Sequence, residues 1–335
     1  MKKRDYFFTN LKCILIFLVV FGHFLEPFVD KGIGMKSLYI FIYLFHMPLF
    51  VFTFGRFAKY DLKRILKNFF VPYLILQTIY IFVENHFNNG TYYDNYLLPY
   101  NMLWFIFSAT TWSLLLIFIN LLSIKKKLVL FFISILLAFI AGYCDSFHYL
   151  FSLSRTIVYF PFFLLGVIYP NIEDKFDCFI SKFKKQHKIC LLLLFLIPLI
   201  FVFCNTDVIP IYWLYESMSY NDMESNIYFR CFHLLFAFCS LILFKMFLPN
   251  REIKWMNLLG TQTWSVYCFH KMFIILFSVF GFFTFFNNAT FQPLLYDILS
   301  FLFSLTMSFV CCFILTRKPF LYLSDCLRLR FKKDN

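Results

Sequence analysis

Long apolar segments recur along the whole length of this chain. Ten of them have roughly 17–25 residues, and each is long enough to cross the ~30 Å of hydrocarbon in a bilayer as an α-helix. Helices are the expected form because a segment in lipid must satisfy its own backbone polar groups. We place the predicted spans at residues 10–28, 37–56, 69–86, 101–122, 128–144, 150–170, 189–204, 227–248, 258–281 and 293–316.

The composition agrees with a membrane protein. Of the 335 residues, 61% are hydrophobic and only 15% are charged, which is less charge than the surface of a soluble protein needs. The 11 cysteines show neither CxxC nor Cys/His ligand spacing, so no disulfide framework and no metal site are predicted. The sequence therefore predicts an all-α integral membrane protein, with one transmembrane domain over residues 1–335 and no separate soluble domain.

The basic residues lie almost entirely on one side of the predicted topology. Of the 31 Lys and Arg residues, 26 fall in the N-terminal segment, in alternate connections and in the C-terminal tail. The opposite connections, 84–100, 145–149, 205–226 and 282–292, contain none, and only the first outer connection has Lys31 and Lys36. By the positive-inside rule, both termini are cytoplasmic. The basic residues behind the net charge of +13 then serve to orient the protein in the membrane, and no nucleic-acid partner is expected.

Ionisable residues in the first span are the leading candidates for function. Lys12 and His23 are eleven residues apart, so on a helix they face the same side about 16 Å from each other. This places Lys12 at the cytoplasmic edge and His23 inside the membrane, where an ionisable group is expensive and points to function. Glu26, three residues further on, lies on the same face and can orient the imidazole.

Two histidines in other predicted spans are further candidates. His46 is in the second span close to Pro48, and His270 is in the ninth span, three residues after Tyr267. A single histidine in an apolar helix is often a core group with a satisfied hydrogen bond, but several together favour a shared polar cavity. Lys271 is costly at that depth unless it is paired or reaches the interface.

A basic cluster precedes the third span. Lys63, Arg64 and Lys67 form one cationic face at the cytoplasmic end of this helix. Topology alone explains many such clusters. A phosphate-bearing cofactor that approaches from the cytoplasm would also need one.

Three residues near the outer ends of helices are candidates for contact with a substrate. Trp104 can anchor its helix at the interface or stack on a sugar ring. Arg155 and Arg230 lie where the chain otherwise avoids basic charge, and each can form a structural ion pair or contact an acceptor. Four acidic residues are available as ion-pair partners: Glu26, Asp30, Glu84 and Glu216.

The serial order of these motifs resembles the membrane acyltransferase 3 family, and most of all its branch related to fucose 4-O-acetylase and polysaccharide O-acetyltransferases. The motifs are Lys12-x10-His23, Phe45-His46-Met-Pro-Leu-Phe50, Lys63-Arg64-x2-Lys67 with Pro72-Tyr73, Leu103-Trp104-Phe105, Pro161-Phe-Phe-Leu-Leu-Gly166, and Leu259-Gly260 with Tyr267-x2-His270.

The resemblance implies a ten-helix enzyme of the bacterial plasma membrane. Such an enzyme transfers an acetyl group from cytoplasmic acetyl-CoA to a hydroxyl of a cell-surface carbohydrate, such as a capsule, an exopolysaccharide or a lipid-linked repeat unit, and uses no metal. His23 then acts as the base for the hydroxyl or as the carrier of the acetyl group, and the sequence leaves both open. The resemblance maps the family's cytoplasmic basic motif to Arg64 and Lys67, and with the neighbouring Lys63 these are expected to bind acetyl-CoA. The predicted depth of Lys12 assigns it to the same cofactor.

The chain departs from the family pattern at one position. An Asp that is common three residues before the basic residue is Thr9 here, which leaves Glu26 or Asp5 as possible substitutes. Two other classes of function also fit the sequence. A polytopic transporter of a carbohydrate or lipid-linked sugar would ignore acetyl-CoA, and a structural subunit of a polysaccharide assembly complex would tolerate loss of all three histidines.

Overall fold

The computed structural model describes residues 5–87, 94–145, 150–206, 209–222 and 225–330. Over these ranges the secondary structure is helical and contains no strand, which confirms the all-α class. The α-helices are α1 (Tyr6–Leu25), α2 (Ile33–Tyr43), α3 (His46–Phe57), α4 (Leu62–Ile65), α5 (Val71–Phe87), α6 (Trp104–Ile119), α7 (Ile124–Ile140), α8 (Leu153–Val158), α9 (Phe160–Ser181), α10 (Lys185–Cys204), α11 (Ile227–Phe247), α12 (Lys254–Thr261), α13 (Thr263–Val279), α14 (Phe282–Asn288), α15 (Pro293–Leu315) and α16 (Lys318–Leu327).

Several turns continue these helices with a different hydrogen-bond pattern. A π-helical segment joins α4 to α5, and 3₁₀ turns follow α1 and α7 and precede α6, α8 and α11. Their bounds are Leu66–Phe70 for the π segment and Glu26–Phe28, Ala141–Tyr143, Asn101–Leu103, Leu150–Ser152 and Tyr212–Tyr215 for the 3₁₀ turns. Two of these segments carry predicted site residues: Lys67 lies in the π segment and Glu26 in the turn after α1.

Nine of the ten predicted spans correspond to candidate membrane helices in the described part of the chain. Seven are long and apolar enough to cross a bilayer: Tyr6–Phe28, Ile33–Phe57, Leu62–Phe87, Asn101–Ile119, Lys185–Cys204, Ile227–Phe247 and Pro293–Leu315. Two more are bent pairs, α8 with α9 at 53° and α13 with α14 at 57°. The fifth predicted span corresponds to α7, a helix of 17 residues that is not among these candidates. The placement of both termini in the cytoplasm stays a prediction.

The chain divides into two compact units. The first contains Met1–Phe50, Phe176–Leu214 and His233–Leu323, and the second contains Val51–Lys175, Tyr215–Phe232 and Ser324–Asn335. In the first unit, α1 packs against α2, α12, α13 and α15. Residues on all sides of α1, among them Phe8, Leu15 and Val20, are fully buried. A helix that is apolar all round belongs in the interior. Polar groups on α1 are consequently held inside the first unit.

In the second unit, two glycines allow α3 and α9 to approach closely. A Cβ atom on Gly55 would lie 2.2 Å from the carbonyl oxygen of Phe163, and one on Gly166 would lie 2.2 Å from the carbonyl oxygen of Phe52. Small residues at such crossings permit backbone contact between helices in membranes. Gly166 therefore has a packing role within the family-like motif that contains it.

We expect Gly166→Val to destabilise the protein, because a backbone carbonyl cannot rotate away from the added side chain. The expected loss is about 1–3 kcal/mol, as for other overpacked interiors. Thermal unfolding of the detergent-purified protein measures it as a lower Tm. Phe57→Val, which changes a half-exposed residue of α3, is the matched control. An unchanged Tm for Gly166→Val would contradict the close approach of the two helices.

Candidate active site

A histidine, a glutamate and a lysine from two helices of the first unit meet at one carboxylate oxygen. His23 lies in the last turn of α1, and Glu26 opens the 3₁₀ turn that follows, with Pro27 next to it. His23 Nδ1 is 3.2 Å from Glu26 Oε2. Lys271 on α13 donates from Nζ to the same Oε2 at 2.9 Å. The predicted His23–Glu26 contact is therefore present, and Lys271 has the partner that its depth requires.

This contact determines which nitrogen of His23 is available for chemistry. An ionised carboxylate only accepts hydrogen bonds, so the proton of the neutral imidazole lies on Nδ1 and points at Glu26. The lone pair is then on Nε2. A histidine oriented by a carboxylate in this way can accept a proton from a hydroxyl group or attack a carbonyl carbon.

The three side chains are largely buried but not sealed. The exposed fractions of the side chains are 12% for His23, 33% for Glu26 and 10% for Lys271. A charge in apolar surroundings is tolerated when it is paired, and the Lys271 ammonium supplies the counter-charge of the Glu26 carboxylate. The remaining exposure leaves the imidazole reachable by a small molecule.

His270 lies next to His23. The two ring centroids are 5.2 Å apart, and the rings are tilted by 36°. His270 is fully buried, and its Nδ1 donates to the carbonyl oxygens of Val266 and Tyr267 at 3.0 and 2.9 Å. Its Nε2 has no hydrogen-bond partner among the described residues. A second imidazole with an available lone pair thus lies beside the first, and Tyr267, with its ring centroid 6.1 Å from that of His270, adjoins it.

His46 belongs to the same buried region of the first unit. It opens α3 directly after a break at Leu44 and Phe45, and its Nδ1 donates to the Ile42 carbonyl oxygen at 2.9 Å. Pro48, two residues further on, cannot donate a backbone hydrogen bond, which explains why the helix is interrupted here.

Tyr43 connects this break to α1. Its ring centroid is 4.6 Å from that of His46. The same ring would be 3.0 Å from a Cβ atom on Gly22, the residue before His23. The absence of a side chain at Gly22 therefore lets Tyr43 pack between the backbone of α1 and His46.

One further buried histidine of the first unit, His233 on α11, is not among the predicted site residues. Its ring centroid lies 6.1 Å from that of Trp213. An ionisable residue in an apolar span is a signal that was available for it, as it was for His23. Within the ranges described, no group of three or more His, Cys, Asp or Glu side chains could hold a metal ion.

The residues at the start of α1 have other roles than the chemistry. Lys12 lies on the same uninterrupted helix as His23 and is partly exposed. Thr9, which stands where the family has an acidic residue, is buried, and its backbone carbonyl oxygen would be 2.0 Å from a Cβ atom on Gly260. Asp5 accepts a hydrogen bond from the Phe7 amide at 3.1 Å and caps α1. Of the two possible substitutes for the missing Asp, Glu26 is the one that contacts His23.

Three of the four cationic residues assigned to acetyl-CoA belong to the second unit. Lys63 and Arg64 on α4 are exposed, and Lys67 in the π-helical segment is partly exposed. Asp61 caps α4 by accepting from the Arg64 amide at 3.0 Å. Asn68, which is buried, accepts from Arg330 at 2.8 Å, so a further cation lies at this segment. π-helical turns are frequent at functional sites.

Arg230 and Arg155 are tied to their own unit by strong contacts. Arg230 donates from Nε to Glu216 Oε2 at 2.7 Å, and both side chains are about 1–2% exposed. The structural ion pair is thus present, with Glu216 as its partner. Arg155 donates to the Tyr215 carbonyl oxygen at 2.8 Å, and its guanidinium lies 5.3 Å from the Trp104 ring. Trp104 and Arg155 therefore form one cation–π pair.

Tyr220 borders the Arg230 ion pair on the loop before α11. The Arg230 guanidinium lies 4.5 Å from the centre of its ring. Burial raises the pKa of Tyr220 to about 12, although the nearby guanidinium opposes this shift. Its hydroxyl is therefore neutral at physiological pH, and it donates to the Phe139 carbonyl oxygen at 3.0 Å.

The fold and this site define a multi-pass membrane protein with a buried, carboxylate-oriented histidine. The sequence model of one family, described as an acyltransferase domain, matches residues 5–317. The chain belongs to this family, the acyltransferase 3 family, and is a membrane acyltransferase. Neither a curated protein nor a solved structure matches the chain. The family match removes support from the transporter and assembly-subunit alternatives.

We expect Lys271→Met to lower kcat of acyl transfer by roughly 10–100-fold, the usual effect of removing a group that orients a reacting residue. Without its counter-charge, Glu26 no longer holds His23 in one orientation, whereas KM stays within about twofold because substrate contacts remain. Initial rates in membrane vesicles measure both quantities.

Two further variants make the test of Lys271 specific. Lys271→Arg keeps the cation and should recover much of kcat. Lys254→Met removes the same charge from an exposed position on α12 and should leave kcat unchanged. A Lys271→Met protein with the kcat of the unmodified chain would remove Lys271 from the positioning of the site.

Proposed function

We propose that the chain is an O-acetyltransferase of the bacterial plasma membrane, which moves an acetyl group from cytoplasmic acetyl-CoA to a hydroxyl of a cell-surface carbohydrate. The observation that carries this proposal is the contact of His23 Nδ1 with a Glu26 carboxylate that Lys271 also binds. The donor and the acceptor come from the resemblance of the motifs to O-acetyltransferases, and the charge pattern supports a cytoplasmic donor.

The reaction needs a group that handles the proton of the acceptor hydroxyl. His23 Nε2 takes this proton while the hydroxyl oxygen attacks the thioester carbon; the carbon–sulfur bond then breaks, and coenzyme A leaves as a thiolate that takes up the proton. In the other route, Nε2 itself attacks the thioester carbon, the carbon–sulfur bond breaks and coenzyme A leaves as a thiolate. The hydroxyl oxygen then attacks the acetyl carbon, the bond to Nε2 breaks, and the thiolate takes up the hydroxyl proton. Nε2 is the reacting atom in both routes, and Glu26 stabilises the positive charge that develops on the ring.

The basic residues of the second unit serve the donor in this proposal. Coenzyme A carries several phosphate groups, and guanidinium and ammonium groups bind phosphates through charge-assisted hydrogen bonds. Lys63, Arg64 and Lys67 supply three such groups on exposed or partly exposed positions. Lys12 is assigned to the donor on the same chemical ground, and His46, His270 and Tyr267 line the buried region around His23.

We expect His23→Ala to lower the rate of acetyl transfer by at least ~100-fold, because the variant lacks the imidazole that Glu26 orients and whose Nε2 is the reacting atom. The assay follows labelled acetyl groups from acetyl-CoA into surface polysaccharide in membrane vesicles. His187→Ala is the matched control, because His187 is exposed at the start of α10 and is not one of the candidate site residues. Comparable rates for His23→Ala and the unmodified protein would exclude His23 from the mechanism.

We expect Arg64→Ala together with Lys67→Ala to raise KM for acetyl-CoA by ~10-fold or more, because two charge-assisted contacts to phosphate are lost. kcat at saturating donor should change little. The control pair is Lys125→Ala with Lys126→Ala, which removes the same charge from exposed positions on α7. If both pairs raise KM alike, the effect belongs to general surface charge and the donor assignment is wrong.

A further inference from the structure

His270 is a second histidine of the site, and the proposed function gives it no step of its own. It is fully buried on α13, and its Nδ1 is bound to the carbonyl oxygens of Val266 and Tyr267 at 3.0 and 2.9 Å. Carbonyl oxygens only accept hydrogen bonds, so Nδ1 carries the proton of the neutral ring. The lone pair of His270 is therefore on Nε2, as it is in His23.

Nε2 of His270 is a buried acceptor without a donor. No hydrogen-bond partner binds it in the part of the chain that the structure describes. Most buried polar atoms in proteins are hydrogen-bonded, and an exception calls for an explanation such as a catalytic role. The imidazole of His23 is not that donor while it is neutral, because its own Nε2 also bears a lone pair and its Nδ1 proton points at Glu26.

The contact between α1 and α13 holds the two imidazoles next to each other. Lys271, which follows His270, donates to Glu26 Oε2 at 2.9 Å, and the same oxygen is 3.2 Å from His23 Nδ1. The ring centroids of His23 and His270 are 5.2 Å apart, within the ~4.5–7 Å that is typical of rings in contact. An acetyl group carried on the ring of His23 would therefore also be next to the ring of His270.

The route through an acetylated His23 needs a second base. Once the acetyl carbon is bonded to Nε2, this imidazole has no lone pair to accept a proton, because Nδ1 keeps the proton that it donates to Glu26. The acceptor hydroxyl still has to lose its proton as its oxygen attacks. Glu26 already accepts from His23 and Lys271, and the Lys271 ammonium has no lone pair. The neighbouring group with an available lone pair is His270 Nε2.

We propose that the acetyl group passes through His23 and that His270 Nε2 is the base that takes the proton of the acceptor hydroxyl. This inference rests on the proposed function, because it divides that reaction between two histidines and selects the second of its two routes. In the direct route a single lone pair would suffice, and the buried, unpaired Nε2 of His270 would have no role.

Each histidine acts in one step. In the first step, His23 Nε2 attacks the thioester carbon, the carbon–sulfur bond breaks, and coenzyme A leaves as a thiolate. In the second step, the hydroxyl oxygen attacks the acetyl carbon while its proton moves to His270 Nε2, and the electron pair of the carbon–nitrogen bond returns to His23 Nε2. The proton then passes from His270 to the thiolate, so acetyl-CoA and an alcohol give an ester and coenzyme A.

The first step can be measured without the second in the full chain purified in detergent. With labelled coenzyme A, unlabelled acetyl-CoA and no acceptor, reversible transfer of the acetyl group to His23 moves the label into acetyl-CoA. We expect His270→Gln, which removes the base but keeps a polar side chain, to retain this exchange. Its transfer of acetyl groups to surface polysaccharide from a strain that lacks the chain should fall ~100-fold or more, as for loss of a general base. His23→Ala should lose both reactions.

Two further variants separate a role in the second step from a role in packing. His270→Ala also removes ring volume, and it should show the same selective loss of transfer because it too lacks the base. His233→Gln changes another fully buried histidine of the first unit that is not a candidate site residue, and it should lower neither reaction selectively. A packing defect instead lowers exchange and transfer together, because both reactions need the folded site.

The outcomes distinguish failure of this inference from failure of the proposed function. If exchange falls together with transfer in His270→Gln, or if transfer keeps its rate, His270 is not the base. If the unmodified protein acetylates the polysaccharide but shows no exchange without an acceptor, the acetyl group does not pass through His23, and only the inference is overturned. If the deletion strain and its parent carry identical O-acetyl groups, the proposed function itself fails, whatever the exchange shows.

Discussion

The carboxylate of Glu26 is the group on which the first unit depends. It lies between the imidazole of His23 and the ammonium of Lys271, and so it joins the end of α1 to α13 across an apolar interior. Burying any one of the three groups alone would cost free energy. Together they form a paired set in which the charge of the lysine is compensated and the histidine has one defined tautomer.

Buried aromatic rings lie close to the His23, Glu26 and Lys271 side chains. Phe24 and Phe28, on either side of Glu26 along the chain, are fully buried against rings from α13, α14 and α15. Such rings exclude water and lower the local dielectric, which strengthens the remaining polar contacts. The contacts of Glu26 with His23 and Lys271 therefore lie in surroundings that strengthen them.

Contacts between residues close in sequence could be predicted, and contacts between helices far apart in sequence could not. The His23–Glu26 contact follows from three residues of helical spacing, and the shared face of Tyr267 and His270 follows from the same rule. The pairing of Lys271 with Glu26 joins residues 245 positions apart, and no spacing rule specifies it. The burial of His233 and the choice of Glu216 as partner of Arg230 also depend on how helices pack. A bend of 53° between α8 and α9 divides the predicted span 150–170.

The sequence by itself determined the all-α membrane class, the location of nine candidate membrane helices, the family, and the contact of His23 with Glu26. These follow from hydrophobic length, helical periodicity and motif order, which are properties of neighbouring residues. Only the tertiary structure decided that Lys271 completes the site and that His270 lies beside His23. Lipid-exposed and buried faces of these helices are equally apolar, so their pattern along the chain does not encode which helix packs against which.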